Sequence, residues 1–329
     1  GKLRPRGRRG TGLRHRGPDG ARSHSGARAR TTRVGQLIHS DVWGPSRVPT
    51  LRGNYRYWVT FIDDLTKRRW LYLLLERKDV VTAFKQFVHD IASASQSSKV
   101  MYVMCNNYCP YVESVRTDNA GEYVGYKSAF ATYLRENGIS HEFSVPHVHH
   151  QNGVAEKANL DIANGVRCAL AQANLDRRFW GYAATAFVHA DNHSPHMGLP
   201  EGKTPMSMWQ EIYPGVTQFP TIDMLRPFGC ETFSHLPQDQ RADGDKIARV
   251  SNKGLLVGYA PGMRGWKVYF PSLDKTLFRY NLTFNEHMAR PSDVEVGKNG
   301  KITRFNVNND ATESPAHPPP IRAAQGAKE

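Results

Sequence analysis

The order of apolar segments after Gly35 is the feature that most constrains the fold of this chain. Three apolar runs come first, a segment with helical spacing follows, and two shorter runs then alternate with further helical segments. Runs rich in aromatic and β-branched residues predict buried strands, whereas apolar residues three and four positions apart predict helices. The predicted strands are QLIHSDVWG, YRYWVTFIDD, RRWLYLLLE, YVESVRTDN and SHEFSVP, and the helices are KDVVTAFKQFVHDIAS, YKSAFATYLRENG, NGVAEKANLDIANGVRCALAQAN and RRFWGYAATAFVHADNHSP. This order predicts an α/β domain.

A second block of short strand patterns begins after Pro205. The strands are predicted in FGCETFSHLP, KGLLVGYAPG, GWKVYFP and TLFRYNLTFNE, with Gly-rich and Pro-containing turns between them. They predict a small antiparallel sheet or barrel. The chain of 329 residues is therefore divided into a basic arm (1–34), an α/β core (35–200), a linker (201–224), a β domain (225–287) and a disordered tail (288–329).

The formal net charge of +14 is concentrated at the start of the chain, where residues 1–34 contain 11 Lys or Arg and one Asp. This segment has few apolar residues to bury, so it cannot offset the entropy lost on ordering and is predicted to be disordered. Basic segments attract polyanions, so a nucleic-acid partner is one interpretation; an extension without function is the alternative.

Cysteine content and hydropathy predict the compartment. Four cysteines in a chain of this length do not form a disulfide framework, which favours a reducing environment. No apolar run approaches the roughly 18 residues of a membrane-spanning helix. We therefore expect a soluble, intracellular protein with no membrane partner.

Three carboxylates stand at positions that favour chemistry. Asp41 and Asp118 each end an apolar run, and Glu156 lies in the first turns of the long predicted helix. Ligand sites of open α/β sheets lie at strand ends, so these side chains are expected to meet there. Clustered carboxylates repel one another unless cations neutralise them, and hard oxygen ligands suit Mg²⁺ or Mn²⁺. From spacing alone the alternative stays open that Asp118 forms a turn and Glu156 is a solvated helix residue.

Several motifs in the same order resemble the integrase region of Ty1/copia-type retrotransposon polyproteins. They are LIHSDVWGP, FIDDLTKRRWLYLL, VRTDNAGEY, VPHVHHQNGVAEKAN, LRPFGCETFSHLP and KGLLVGYAPGMRGWKVYFP, and they cover roughly residues 35 to 287. The resemblance implies a ribonuclease H-like core, a five-stranded mixed sheet flanked by helices, followed by a small SH3-like β domain.

The resemblance also implies an activity. Asp41, Asp118 and Glu156 fall on the family's catalytic triad and are the expected ligands of two Mg²⁺ or Mn²⁺ ions. The implied enzyme is a metal-dependent polynucleotidyl transferase and endonuclease that trims DNA ends by hydrolysis and joins the 3′-hydroxyl to a target phosphodiester. Such ions, about 3.5 to 4 Å apart, would serve one in-line displacement.

Further expectations follow from the resemblance. The implied partners are the element's DNA ends, target DNA and further copies of the chain, and the implied place of action is the nucleus. Asn119, Asn152 and Lys157 are candidate DNA contacts. The paired Asp63 and Asp64 match a motif for which a structural role at a strand end is expected.

Departures from the family pattern support a competing hypothesis. Ala120 stands where the family usually has Gly, and Ala158 and Leu160 stand where it usually has basic residues beside the catalytic Glu. Residues 99–110 form an apparent insertion. The alternative is therefore a catalytically decayed, nucleic-acid-binding relic of the same element. A ribonuclease H acting on hybrids shares the fold and the metal chemistry, but the appended β domain disfavours it.

Overall fold

The computed structural model describes residues 31–94, 111–124, 128–143, 153–214, 221–235, 251–260 and 262–287, and the backbone of two strands at 294–296 and 302–305. These residues all lie within one compact unit that begins at Thr31. Most of the predicted basic arm, the 99–110 insertion and Asn152 lie outside the described residues.

The first sheet has five strands in the order β3-β2-β1-β4-β5. Strand β1 pairs antiparallel with β2 and parallel with β4, so the sheet is mixed. The pairs β2–β3 and β4–β5 are antiparallel and parallel respectively. This confirms the expected ribonuclease H-like core. The strands are β1 Ile38–Trp43, β2 Tyr57–Asp63, β3 Arg69–Leu74, β4 Ser114–Thr117 and β5 Ser140–Phe143.

Five helices accompany this sheet, and four of them match segments predicted from helical spacing. Their ends have local causes: Ser128 caps the second helix by accepting from the Ala131 amide at 3.4 Å, and Gly138 follows it with a positive φ of 66°. The helices are α1 Val80–Ala94, α2 Ala129–Glu136, α3 Gly153–Gln172, α4 Trp180–Asn192 and α5 Pro205–Ile212.

The sheet is buried on both faces because successive side chains of a strand point to opposite sides. On β2, Val59 and Phe61 pack against α1 and α2, whereas Trp58 packs against α3 and α4. On β1, Ile38 and Val42 belong to the first of these cores. The intervening residue Asp41 therefore faces the α3 layer.

The second sheet is entirely antiparallel, in the order β10-β6-β7-β8-β9, which confirms the predicted small β domain. The prediction of one strand over TLFRYNLTFNE was wrong, because the segment divides at Tyr280 and Asn281. Its second half pairs with β6 and forms the edge strand opposite β9. The strands are β6 Glu231–His235, β7 Ser251–Tyr259, β8 Trp266–Phe270, β9 Lys275–Arg279 and β10 Leu282–Asn285.

Two segments outside the predicted domains carry secondary structure. Within the predicted tail, strands β11 Val294–Val296 and β12 Ile302–Phe305 pair antiparallel, so the expectation of disorder fails for these residues. Within the predicted linker, Trp209 of α5 is fully buried in the core formed with α1 and α2. The exact domain boundaries stay predictions.

The helical layer beside the first sheet packs against the second sheet. Ala173 and Phe179, which follow α3, form one apolar cluster with Leu255, Val257 and Tyr269 of the second sheet. In the described part of the chain, no helix is long and apolar enough to span a membrane.

Candidate active site

Asp41 is the fourth of six residues in β1, so it lies inside the strand, as it does in the predicted strand QLIHSDVWG. The strand continues because Val42 and Trp43 pair with Val59 and Trp58 of β2. The Asp41 side chain is partly buried, and its Oδ2 accepts a hydrogen bond from Nδ2 of Asn159 at 2.9 Å. A neighbouring amide on α3 thus fixes the orientation of this carboxylate.

Asn159 is a functional candidate that the sequence interpretation missed. It is only 4 % exposed, and its Oδ1 accepts from Trp58 Nε1 at 2.8 Å and from Thr60 Oγ1 at 3.3 Å. Because the Trp58 Nε1–H can only donate, the side-chain oxygen must face it and the amide nitrogen must face Asp41. The available signal was a polar residue among the apolar residues that α3 buries, three positions after Glu156.

Asp118 follows β4 directly, at the carboxyl end of the strand that runs parallel to β1. Its Oδ1 accepts from the Ala120 amide at 3.1 Å, which closes a turn. Partial burial raises the pKa of Asp118, and the charge of Glu122 adds to this effect while Arg77 opposes it. Asp118 therefore lies at the end of a strand, as predicted.

Glu156 lies in the first turn of α3 with an exposed side chain. It lines an open cleft of about 540 Å³ together with Asp41. Burial raises the pKa of Asp41 to about 6, the Asn159 hydrogen bond opposes that rise, and the like charges of Asp118 and then Glu156 increase it. Asp118 and Glu156 therefore both lie close enough to Asp41 for their charges to raise its pKa.

The carboxylates surround this region without converging on a point. Within the described residues, no three His, Cys, Asp or Glu side chains lie close enough together to hold an ion. The donor set nevertheless suits a hard cation, since it offers carboxylate oxygens, and burial and then the like charges of Asp118 and Glu156 raise the pKa of Asp41. Binding of a divalent ion would relieve the repulsion between these like charges.

Sequence and structure comparisons show which known proteins this chain is similar to. A family model for the retroviral polymerase SH3-like domain matches residues 230–298. A retrovirus-related Pol polyprotein from transposon TNT 1-94 of Nicotiana tabacum is 31% identical over 280 residues, covering 84% of this chain and 19% of the relative. The transposon RE1 polyprotein of Arabidopsis thaliana is 30% identical over 236 residues, covering 70% and 14%. The chain is a homologue of Ty1/copia-type Pol polyproteins.

This Pol homologue spans less than a fifth of the length of those two relatives. It is also similar to two solved structures. A simian T-cell lymphotropic virus intasome in complex with PP2A regulatory subunit B56 gamma matches at 11% identity and a TM-score of 0.42, covering 78% of this chain and 80% of that one. The HTLV-2 integrase catalytic core domain in complex with magnesium matches at 16% identity and a TM-score of 0.37, covering 54% and 97%.

In this Pol homologue the paired Asp63 and Asp64 close the turn that follows β2. Asp63 accepts from the Gly35 amide at 2.8 Å and from the Thr66 amide and hydroxyl at 2.8 and 2.7 Å. Asp64 bonds Lys67 Nζ at 3.0 Å and lies 3.1 Å from His39 Nε2, and these contacts lower its pKa. The expected structural role of the pair agrees with these bonds.

Two of the three candidate DNA contacts of the Pol homologue have exposed side chains. Asn119 is exposed in the turn after Asp118. Lys157 is exposed on α3, where its Nζ pairs with Asp161 at 3.3 Å. Asn152 lies outside the described residues. Their contact with DNA stays a prediction.

Proposed function

We propose that this chain is the integrase catalytic core and SH3-like domain of a retrotransposon Pol polyprotein. In this proposal Asp41, Asp118 and Glu156 are the catalytic carboxylates and hold two Mg²⁺ or Mn²⁺ ions. The observation that carries it is the environment of Asp41, whose pKa is raised first by burial and then by the like charges of Asp118 and Glu156. An open cleft beside Asp41 and Glu156 leaves room for a polymeric substrate.

The roles of the protein groups follow from the geometry. Asn159 holds Asp41 in one orientation, and its own orientation is fixed by Trp58 and Thr60. Hydrogen bonds of this kind keep a metal-binding carboxylate aligned. The bound ions would supply charge neutralisation at the phosphodiester and activation of the attacking oxygen. Asp118 directly follows β4, and Glu156 lies in the first turn of α3 and lines the cleft with Asp41.

The proposed reactions are hydrolysis of a phosphodiester near the element's DNA end and transfer of the resulting 3′-hydroxyl to target DNA. Both are the same displacement, with water as nucleophile in the first and a sugar hydroxyl in the second. The proposed partners are therefore DNA and further copies of the chain, acting in the nucleus. Homology to Pol polyproteins supports these partners.

A catalytically decayed, nucleic-acid-binding relic is the second candidate. It is favoured by the lack, among the described residues, of three carboxylates close enough to hold an ion. Leu160 lies one turn after Glu156, lines the cleft and is 59 % exposed. A basic side chain at this position would attract phosphate, whereas the apolar Leu160 does not.

The test is strand transfer of a labelled DNA end into a plasmid with Mg²⁺ or Mn²⁺, comparing the chain with Asp118→Asn and Glu156→Gln. Glu136→Gln is the control, because Glu136 is an exposed carboxylate at the end of α2. Joined product that is lost in both site variants and kept in the control supports the integrase. A folded chain that binds DNA and never joins it supports the relic.

A further inference from the structure

The cleft beside the carboxylates extends along α3 toward its carboxyl end. Its walls include Asp41, Glu156, Leu160 and Arg167, with Trp43 and Pro45 on the opposite side. Arg167 lies eleven residues after Glu156 on this helix, which corresponds to about 16 Å along the helix axis. The cleft thus carries carboxylates near one end of the helix and a guanidinium near the other.

Arg167 differs from the other cations around this site in having no acidic partner. Arg77 pairs with Glu122 at 2.6 Å, and Lys157 pairs with Asp161 at 3.3 Å. Arg167 is exposed and donates to the neutral side chain of Asn164, one turn earlier on α3. Among the described residues, the hydrogen-bond partner of its guanidinium is this neutral amide, and no ion pair with a carboxylate is found.

The surface between the two ends combines apolar side chains with the amide of Asn159. The apolar part is formed by Leu160 and Ala163 of α3, by Trp43 at the end of β1 and by Pro45, which follows it. Apolar and aromatic groups contact sugars and bases well but do not bind phosphate, so the charge of a nucleic-acid strand must be met at the ends of this surface. At the carboxylate end a metal ion would be needed, and at the other end Arg167 already supplies a cation.

We propose that Arg167 binds a backbone phosphate of the substrate DNA strand about five nucleotides from the phosphodiester that reacts at the carboxylates. For a duplex whose axis runs parallel to α3, the separation of about 16 Å and the axial rise of about 3.4 Å per phosphate of one strand give this number. The inference rests on the proposed function and adds a second point at which the strand is held. Guanidinium is suited to this role because its fork of donors binds phosphate oxygens in pairs.

The experiment measures binding of a fluorescein-labelled DNA duplex by the full chain across a range of salt concentrations. Arg167→Gln is compared with Arg177→Gln, since Arg177 is likewise exposed but does not line the cleft. We expect Arg167→Gln to weaken binding about tenfold. It should also reduce the slope of log K against log salt by about 0.9, the value for one phosphate contact. Arg167→Lys should retain the slope because it retains the charge.

A second measurement locates the contact. Neutral methylphosphonate linkages are placed one at a time from the second to the eighth nucleotide from the joining end. The unsubstituted chain should lose affinity at one position near the fifth, and Arg167→Gln should show no further loss there. Equal behaviour of Arg167→Gln and Arg177→Gln, with strand transfer intact, overturns this inference alone. A chain that binds no DNA overturns both the inference and the proposed function.

Discussion

Nδ2 of Asn159 lies 2.9 Å from Oδ2 of Asp41, although the two residues are 118 positions apart in the chain. The bond joins the long helix α3 to the middle of β1, and the same amide is anchored by Trp58 and Thr60 of β2. One buried side chain therefore ties the orientation of the candidate catalytic carboxylate to the packing of the core.

Replacing Asn159 by Ala should raise the pKa of Asp41 further, because the hydrogen bond that lowers this pKa is lost. The free energy of unfolding should fall by about 1 to 3 kcal/mol, since the buried Trp58 Nε1 loses its acceptor. Urea denaturation and NMR titration of the Asp41 carboxyl check both effects. Asn164→Ala, an exposed change on the same helix, should alter stability by no more than about 0.5 kcal/mol.

Replacing Asp41 by Asn should stabilise the metal-free protein at high pH. The pKa of Asp41 is raised from 3.8 to about 6, so the folded chain binds this proton more tightly than the unfolded chain does. Its contribution to stability is therefore full below pH 3.8 and is lost as the pH rises through 6. With allowance for partial exposure, Asp41→Asn should gain about 2 kcal/mol at pH 8 over the unsubstituted chain.

The measurement is the difference in unfolding free energy between the two chains from pH 3 to pH 8 without divalent ions. The difference should grow with pH and level off above the pKa of Asp41. A difference in unfolding free energy that is constant across this range would show that burial and like charge do not raise the pKa of Asp41.

Divalent ions should stabilise the chain through the same carboxylates. At pH 8, Mg²⁺ at ten times its dissociation constant should raise the free energy of unfolding by about 1.4 kcal/mol, because the ion binds the folded state. The effect should be lost when Asp41→Asn and Asp118→Asn are combined. Thermal unfolding with MgCl₂, against KCl of equal ionic strength, makes the comparison. Equal stabilisation of both chains would place the ion elsewhere.

The sequence predicted much of the fold because local periodicity follows from which side chains are buried. Asp118 was placed correctly since its turn is formed by its own neighbour Ala120, a local interaction. Asp41 lies inside β1, as the predicted strand QLIHSDVWG has it, but the pairing of this strand with Trp58 and Val59 was not predicted. Such pairing is a property of two strands and is not visible in either one alone.

The functional role of Asn159 was missed for a related reason. A buried Asn on a helix signals a hydrogen-bonded partner, but the partners are 101 and 118 positions away. The break between β9 and β10 was missed because β10 pairs with β6, about 50 residues earlier in the chain. Periodicity shows that a residue is buried or paired, but the identity of its partner depends on the tertiary fold.

The helix α5 was predicted to be part of a linker, and the packing of Trp209 makes that prediction testable. Trp209 is fully buried, its ring lies 5.6 Å from that of Trp70, and the Arg68 guanidinium lies 4.4 Å from its centroid. Trp209→Ala should therefore reduce the free energy of unfolding by about 3 to 5 kcal/mol, as expected for a large side chain removed from a core.

Gln210→Ala is the matched control, because Gln210 is the exposed neighbour of Trp209 on the same helix and its loss should cost no more than about 0.5 kcal/mol. Trp209→Phe should cost less than Trp209→Ala, since a phenyl ring keeps an aromatic face for Arg68. Urea denaturation of the full chain measures all three variants. If Trp209→Ala and Gln210→Ala cost the same, α5 does not stabilise the core and the segment behaves as a linker.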